Sequence, residues 1–553
     1  MDILLTSVYA EDCESVRYAN LRHTKNPGTM KSMIWRATIL VVTFCFLAPS
    51  ADSKAQRVVE VEPGLNTLND AMAQDENPDE AVFVLERGGT YEFDTPIEYE
   101  GEILRIHAAE GDGPRPIIRP AVDITGSSPA HHFAARSDLE LESLILLGID
   151  DLGAYRTRQI RMQADSTRLV INNVLFESIA QDFIRLDAPG TSVFITNTTG
   201  RNNGIDDGQT GGRILDTRGN DVDTLFVQNS TFYQMLRFAL RADGGFIRHL
   251  VWDHVTTVNV GLVFQLGRAV DARISNSIFY NLYPPPGNLA DTLKPFVTID
   301  SLVNTHGFTD DDRNIVFENV NFVTDPDVHA IIPDTIAQYR FLEEEFDAFI
   351  NAGVADTMNI FAEELDFAKA PPNMAEYMMY VWTGGATEFP RWRAYENEEA
   401  YEDPLVVGEL PEDMFNFSYS SEARSFNTGT DGFPIGDLRW FPDAFEEWVA
   451  TDVEETDLEL PEAITLYGNY PNPFNPGTRI AFDLGEPADV RVDVFDVLGR
   501  QIATLRAGMM AAGARQIVEV DGSGWSSGTY LYRLTASGQR GVHVKTGVMT
   551  LLK

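Results

Sequence analysis

Cysteine is almost missing from this chain: 553 residues contain two, Cys13 and Cys45, both near the N-terminus. A disulfide framework, a thiolate zinc site and a cysteine nucleophile are therefore not expected downstream. Lysine is scarce, with seven residues against 35 arginines, and acidic residues outnumber basic ones 84 to 42, a formal net charge of −42. So anionic a body repels nucleic acid and acidic lipid surfaces. It suits saline surroundings, where salt screens the self-repulsion. Long apolar runs are lacking too: the pronounced one, 37–47, has 11 residues, too few to cross a hydrocarbon core of roughly 30 Å. No Walker loop, HExxH pair or dinucleotide fingerprint occurs. What is present, 44% hydrophobic and 23% charged residues, is the balance of a folded protein long enough for several domains.

Lys31 and Arg36 precede that run and Ser53-Lys54-Ala55 follows it, the basic, apolar and small-residue order of a secretory signal. Cleavage is expected after Ala55, with Met30 or Met33 as the true start, residues 1–29 upstream of it and 30–55 as the signal. Both cysteines fall before the expected cut, and the mature chain is expected to keep no transmembrane anchor.

From residue 169 onward self-similar segments recur: LVINNVLF, VFITNTTG, LFVQNSTF, LVWDHVTT, ARISNSIF and IVFENVNF. They share one column, Asn173, Asn197, Asn229, His254, Asn276 and Asn319, and the shortest spacing, 22 residues, sets one coil. Apolar residues stand two and four positions before the column, as in Leu169/Ile171 and Leu250/Trp252, which is strand alternation facing a core. Three positions after it come Phe176, Phe232, Phe279 and Phe322. This pattern predicts an all-β parallel β-helix in which each coil buries its apolar face on its neighbours. A sandwich of hairpins would show no constant column. The asparagines are expected to stack in one corner and bond backbone groups of adjacent coils.

On these segments residues 57–330 resemble the right-handed pectate-lyase-like β-helix proteins, which include carbohydrate lyases and non-catalytic surface proteins. Residues 331–463 break the period and are expected to form an irregular, partly helical cap and an acidic linker. Within them 335–352 has helical apolar spacing ended by Gly353. TDGFPIGDLRWFPD, 430–443, resembles the closing motif of β-helix proteins from bacteria with type IX export. Beyond the linker stand Asn472-Pro473-Phe474-Asn475-Pro476, Leu498-Gly499-Arg500 and Ser527-Gly528-Thr529-Tyr530. Through them residues 464–553 resemble the type IX secretion C-terminal sorting domain, departing from it at VEVDGSGW, where that family carries a Trp-Asp-Gly turn. The resemblance implies the type IX machinery as partner and export through the periplasm and outer membrane to the surface or medium. Alternating apolar runs independently predict a small antiparallel, Ig-like β-sandwich there. Its net charge of +2, against −45 for residues 56–463, separates two modules with different jobs.

Two insertions at one corner of the repeat, 198–212 and 281–295, are the expected binding loops. The first carries Arg201, Asp206 and Asp207; the second has Tyr280 and Tyr283 at its edge and holds Asp291 and Lys294. In the strand after that corner, Leu186, Leu215, Leu240, Phe264 and Ile299 align inward, so Asp187, Asp216, Arg241, Gln265 and Asp300 form an outward polar column with coils about 4.8 Å apart. The function expected is carbohydrate binding along this face, tyrosines stacking on sugars and Asp206 and Asp207 holding calcium. The alternative is polysaccharide lyase or glycoside hydrolase chemistry on the same scaffold. In a lyase, calcium would acidify the C5 proton of a uronate and Arg241 or Lys294 would remove it. The bland alternative is a surface ion ladder beside solvated loops. His249, His254 and His306 lack metal-ligand spacing, so no zinc site is expected, and the GxSxG string at 524–528 precedes a strand, which rules it out as a nucleophile elbow.

Overall fold

The computed structural model describes residues 57–553 apart from 205–210, 236–238, 243, 262–263, 284–295, 303–306, 332–340, 343–344, 372–414, 455–463, 471–473, 485–487, 497–499, 511–512 and 539–540. The signal segment and its cleavage point lie outside the described residues. The chain divides into two compact units, one spanning Asp52–Ala450 and the other containing Thr451–Lys553.

The first unit is a parallel β-helix. Ile171, Ile195, Val227, Trp252, Ile274 and Phe317 stand in one parallel register, as the repeats predict, and all are buried. This first face ends at the shared column, whose six members take φ between 45° and 55°. Left-handed backbone costs an L-residue roughly 1–2 kcal/mol, least for asparagine, so the column is selected by the corner's backbone as well as by bonding. Five positions on, Ser178, Asn202, Gln234, Asn259 and Asn281 make a second left-handed corner, φ 51° to 56°. A short second face lies between the corners, and a third face follows. It comprises Ile97–Tyr99, His131–Ala135, Arg158–Met162, Asp182–Leu186, Arg213–Asp216 and Leu240–Arg241, then Phe264–Gln265 paired with Val297–Thr298.

The expected ladder bonding needs correction. Its amides meet mostly side chains: Asn319 Nδ2 donates to Asn276 Oδ1 at 3.1 Å, Asn276 Nδ2 to Asp253 Oδ1 at 2.9 Å and Asn173 Nδ2 to Ser143 Oγ at 3.0 Å. Asn359, φ 58°, donates to Asn319 Oδ1 at 2.9 Å, so the ladder runs one coil past the sequence repeats. Phe176, Phe232 and Phe279 are buried as expected. Where the column has Gly200 instead, an added Cβ would lie 2.6 Å from Phe183 and 2.8 Å from Phe232, so glycine makes room for two rings.

Of the helix expected over 335–352, Glu345–Ala352 is helical and ended by Gly353 at φ 76°, whereas Leu342 bridges Val297 as a strand would and 335–340 lie outside the described residues. The chain then returns over the second face, where Phe361, Phe367, Phe417, Tyr419 and Ile435 pack on Tyr233, Val258, Ile278 and Tyr280. The 430–443 motif forms a strap. Thr430 N donates to Asn276 Oδ1 (3.0 Å), Asp437 N to Thr256 Oγ1 (2.9 Å) and Thr231 Oγ1 to Asp437 Oδ2 (2.6 Å). Arg439 reaches the carbonyls of Asn197 and Thr198 at 2.5 and 3.0 Å. Gly436, φ 84°, sits so close that a Cβ would meet Thr256 Oγ1 at 2.5 Å and Ile278 Cδ1 at 2.8 Å.

The C-terminal unit is an antiparallel sandwich of a three-stranded and a four-stranded sheet, with Ile480, Phe482, Val492, Tyr532 and Leu534 in the core between them. Phe474, from the Asn-Pro-Phe motif, is 1% exposed and exchanges backbone bonds with Thr550 and Leu552 (2.9 and 3.0 Å). The departing VEVDGSGW segment still makes a turn: Trp525 N donates to Gly522 O at 2.9 Å, and its ring lies 5.1 Å from Tyr530. Asn472, Pro473, Leu498 and Gly499 lie outside the described residues.

Candidate functional site

Alternation on the third face buries Ile160, Met162, Ile184, Leu186, Leu215 and Leu240, which turns their polar neighbours outward. The inward set is as the sequence predicts; the outward column is not. Ile184, rather than Leu186, pairs with Leu215, so the row reads Arg161, Arg185, Asp216, Arg241. Gln265 pairs with Thr298, which leaves Asp300 outside the row as well. A two-residue slip keeps the same side facing inward, which is why the pattern of burial could not reveal it.

Each aspartate of this face is held by two arginines. Asp187 receives Arg161 Nε at 2.6 Å and Arg185 Nε at 2.7 Å. Asp182 receives Arg158 Nε at 3.1 Å and Arg213 Nη1 at 2.8 Å. Asp216 faces Arg213 and Arg241 Nη1 at 3.5 and 3.3 Å and accepts the backbone N–H of Arg218 at 2.9 Å. Five arginines thus surround three aspartates. The carboxylates of Asp182 and Asp216 are 1% exposed, whereas the side chains of Arg161 and Arg241 keep 27% and 24%. Asp187 keeps 16% and Arg213 only 9%, so the two aspartates at the row's centre lie deepest while Arg161 and Arg241 reach furthest out. Burial and then the neighbouring Arg185 push the Arg158 guanidinium below its ordinary range, and burial and then Arg161 push His131 down. Crowded like charge of this kind favours an anion at the surface.

The other expected site residues scatter. Arg201 belongs to the strand Thr199–Asn203 on the second face, not to a loop; it is fully buried, bonded through Nε to Glu177 and 3.2 Å from Tyr233 Oη. Tyr280 lies under the returning chain with its ring 5.2 Å from Phe367, and burial pushes its hydroxyl up to about 12, so sugar stacking on it is excluded. Tyr283 ends the strand Arg268–Tyr283. Asp300 accepts Gly244 N at 2.9 Å and brackets a turn. Asp206, Asp207, Asp291 and Lys294 lie outside the described residues. The expected acidic pair for calcium on this face does not form, because arginines fill Asp187 and Asp216. Arg241 itself is held against Asp216 at 3.3 Å. Arg158, Arg161, Arg185 and Arg213 were not legible in the sequence: Arg158 and Arg161 are three positions apart, which strict alternation would place on opposite sides, and both face outward only because Gln159 and Ile160 are both buried.

Residues 469–546 match the secretion system C-terminal sorting domain family. The chain therefore carries a type IX sorting domain, which directs it to the cell surface or the medium through the type IX machinery. No curated protein matches the chain. Among the described residues no helix is long and apolar enough to cross a membrane.

Proposed function

We propose that the exported β-helix binds an acidic polysaccharide along its third face, with guanidinium groups on successive coils engaging carboxylate or sulfate groups. The observation that carries this is the excess of five arginines over the three aspartates and Glu98 on one face of a body whose net charge is strongly negative. Net charge governs approach from afar, but salt screens it beyond about 8–10 Å and leaves the local surplus to decide docking. A chain laid along the helix axis would meet a new coil about every 4.8 Å. Calcium is not needed in this arrangement, since the arginines supply the positive charge.

The full chain is titrated with polygalacturonate, alginate and neutral dextran at low and high salt. Binding to the acidic polymers, weakened by salt, is expected; the Arg161→Ala/Arg185→Ala variant loses roughly tenfold or more, in line with charged hydrogen bonds. Equal binding to dextran, or a variant that matches wild type, overturns the proposal. Ultraviolet-absorbing unsaturated products in the same incubations would instead favour elimination chemistry. For export, cleavage after Ala55 is read by intact mass, and deletion of 464–553 is expected to strand the chain in the periplasm.

A further inference from the structure

On the outer side of the first face, two early coils bring together a nitrogen and two oxygen ligands that the chain holds far apart. The strands Ile103–Ala108 and Asp138–Glu142 pair in parallel with Arg105 opposite Glu140 and His107 opposite Glu142. Leu104, Ile106, Leu139 and Leu141 are buried, so alternation sets Arg105, His107, Glu140 and Glu142 outward. His107 Nε2 lies 2.9 Å from Glu140 Oε1, and Nδ1 lies 3.6 Å from Glu142 Oε2. One ligand atom from each residue falls within 4.8 Å of the others.

We propose that His107, Glu140 and Glu142 form a binding site for a divalent transition metal of the zinc class. The imidazole nitrogen decides the class, because calcium and magnesium prefer all-oxygen sites, while one histidine with carboxylates suits zinc and its neighbours. Two ligands 2.9 Å apart, each about 2.1 Å from an ion, subtend about 90° at it, within reach of coordination geometry. Val84 pairs with His107 on one side, and on the other Val170 pairs with Glu140 and Asn172 with Glu142, so the flanks are apolar beside His107 and Glu140 and polar beside Glu142.

A second layer is already in place. Asn172 Nδ2 donates to Glu142 Oε1 at 3.2 Å, and Asn172 Oδ1 accepts Thr196 Oγ1 at 3.0 Å and Asn197 Nδ2 at 2.9 Å. The ladder thus orients a ligand, as outer partners of metal sites do. Arg105, 3.8 Å from Glu140, offsets part of the negative charge. Glu140 follows His107 by 33 residues, so the set matches no short linear motif.

The full chain, stripped with chelator, is titrated calorimetrically with zinc chloride, and cobalt(II) is followed by its visible absorption. One equivalent of zinc is expected, with calcium binding much more weakly. His107→Ala should lose more than the roughly 10–100-fold that outer-layer changes cost, while His249→Ala leaves affinity unchanged. Glu142→Gln keeps the shape of a partly exposed side chain and tests the site should His107→Ala fail to fold. Absence of zinc binding in wild type, or undiminished binding in Glu142→Gln, overturns the assignment.

Discussion

The second and third faces are successive stretches of the same coils, yet they end in opposite states. Outward on the second stand Thr231, Thr256, Ile278, Val258 and Tyr233, and the chain's own return covers them. Outward on the third stand mostly arginines, with Asp182 and Asp216 tucked below. Hydroxyls and apolar groups can be satisfied in fixed pairs by a strap of the same sequence. Surplus positive charge cannot be so satisfied by a neutral segment, and it calls for a partner that brings negative charge.

The largest expected effect is on the covered face. Asp437→Ala removes a fully buried carboxylate that holds Thr231 and Arg439, and it should destabilise by about 3 kcal/mol and expose the strap to limited proteolysis. Asp187→Ala on the third face is the counterpart, with an expected change within about 1 kcal/mol, because its partners are partly exposed. Equal losses in denaturant titrations would erase the distinction between the faces.

One strand of the third face sharpens it further. His131 belongs to the charged side, but its neighbour His132 is fully buried, with Nε2 2.9 Å from Leu147 O, and burial lowers its pKa to about 4. The folded state then holds fewer protons than the unfolded state between about pH 4 and 6.5, so stability falls as pH drops through that window. The loss is at most about 3 kcal/mol, and His132→Asn should flatten the dependence of unfolding midpoint on pH. Next comes Gly436→Ala, expected to cost about 2 kcal/mol from left-handed backbone and contact with Thr256. Then comes the ladder pair: Asn229→Leu should cost about 1–2 kcal/mol and Asn229→Gly little, because Asn229 at φ 45° serves the corner's backbone. Equal melting temperatures for the two variants would refute that role.

The fold was legible because each coil needs a left-handed corner and an inward apolar pair, and both leave marks at fixed positions such as Asn276 and Ile274. The second corner went unread because Ser178 and Gln234 interrupt its asparagines. The site was harder. Inward residues show only which side of a strand is buried, so Asp187 could be placed on the correct side yet in the wrong row, while Asp216 and Arg241 are neighbours as expected. The His107 cluster depends on contacts between coils, which no local spacing records.

The strap also has a metrical consequence. Thr430 grips the coil of Asn276, Asp437 that of Thr256, and Arg439 that of Asn197, all within ten residues of chain. Removing or adding one coil between Asn197 and Asn276 would move these anchors by about 4.8 Å, beyond the reach of any of the bonds. The strap therefore gauges the length of the stack: it seats only on a helix with the correct number of coils, and it does so immediately before the chain continues into the segment that directs export.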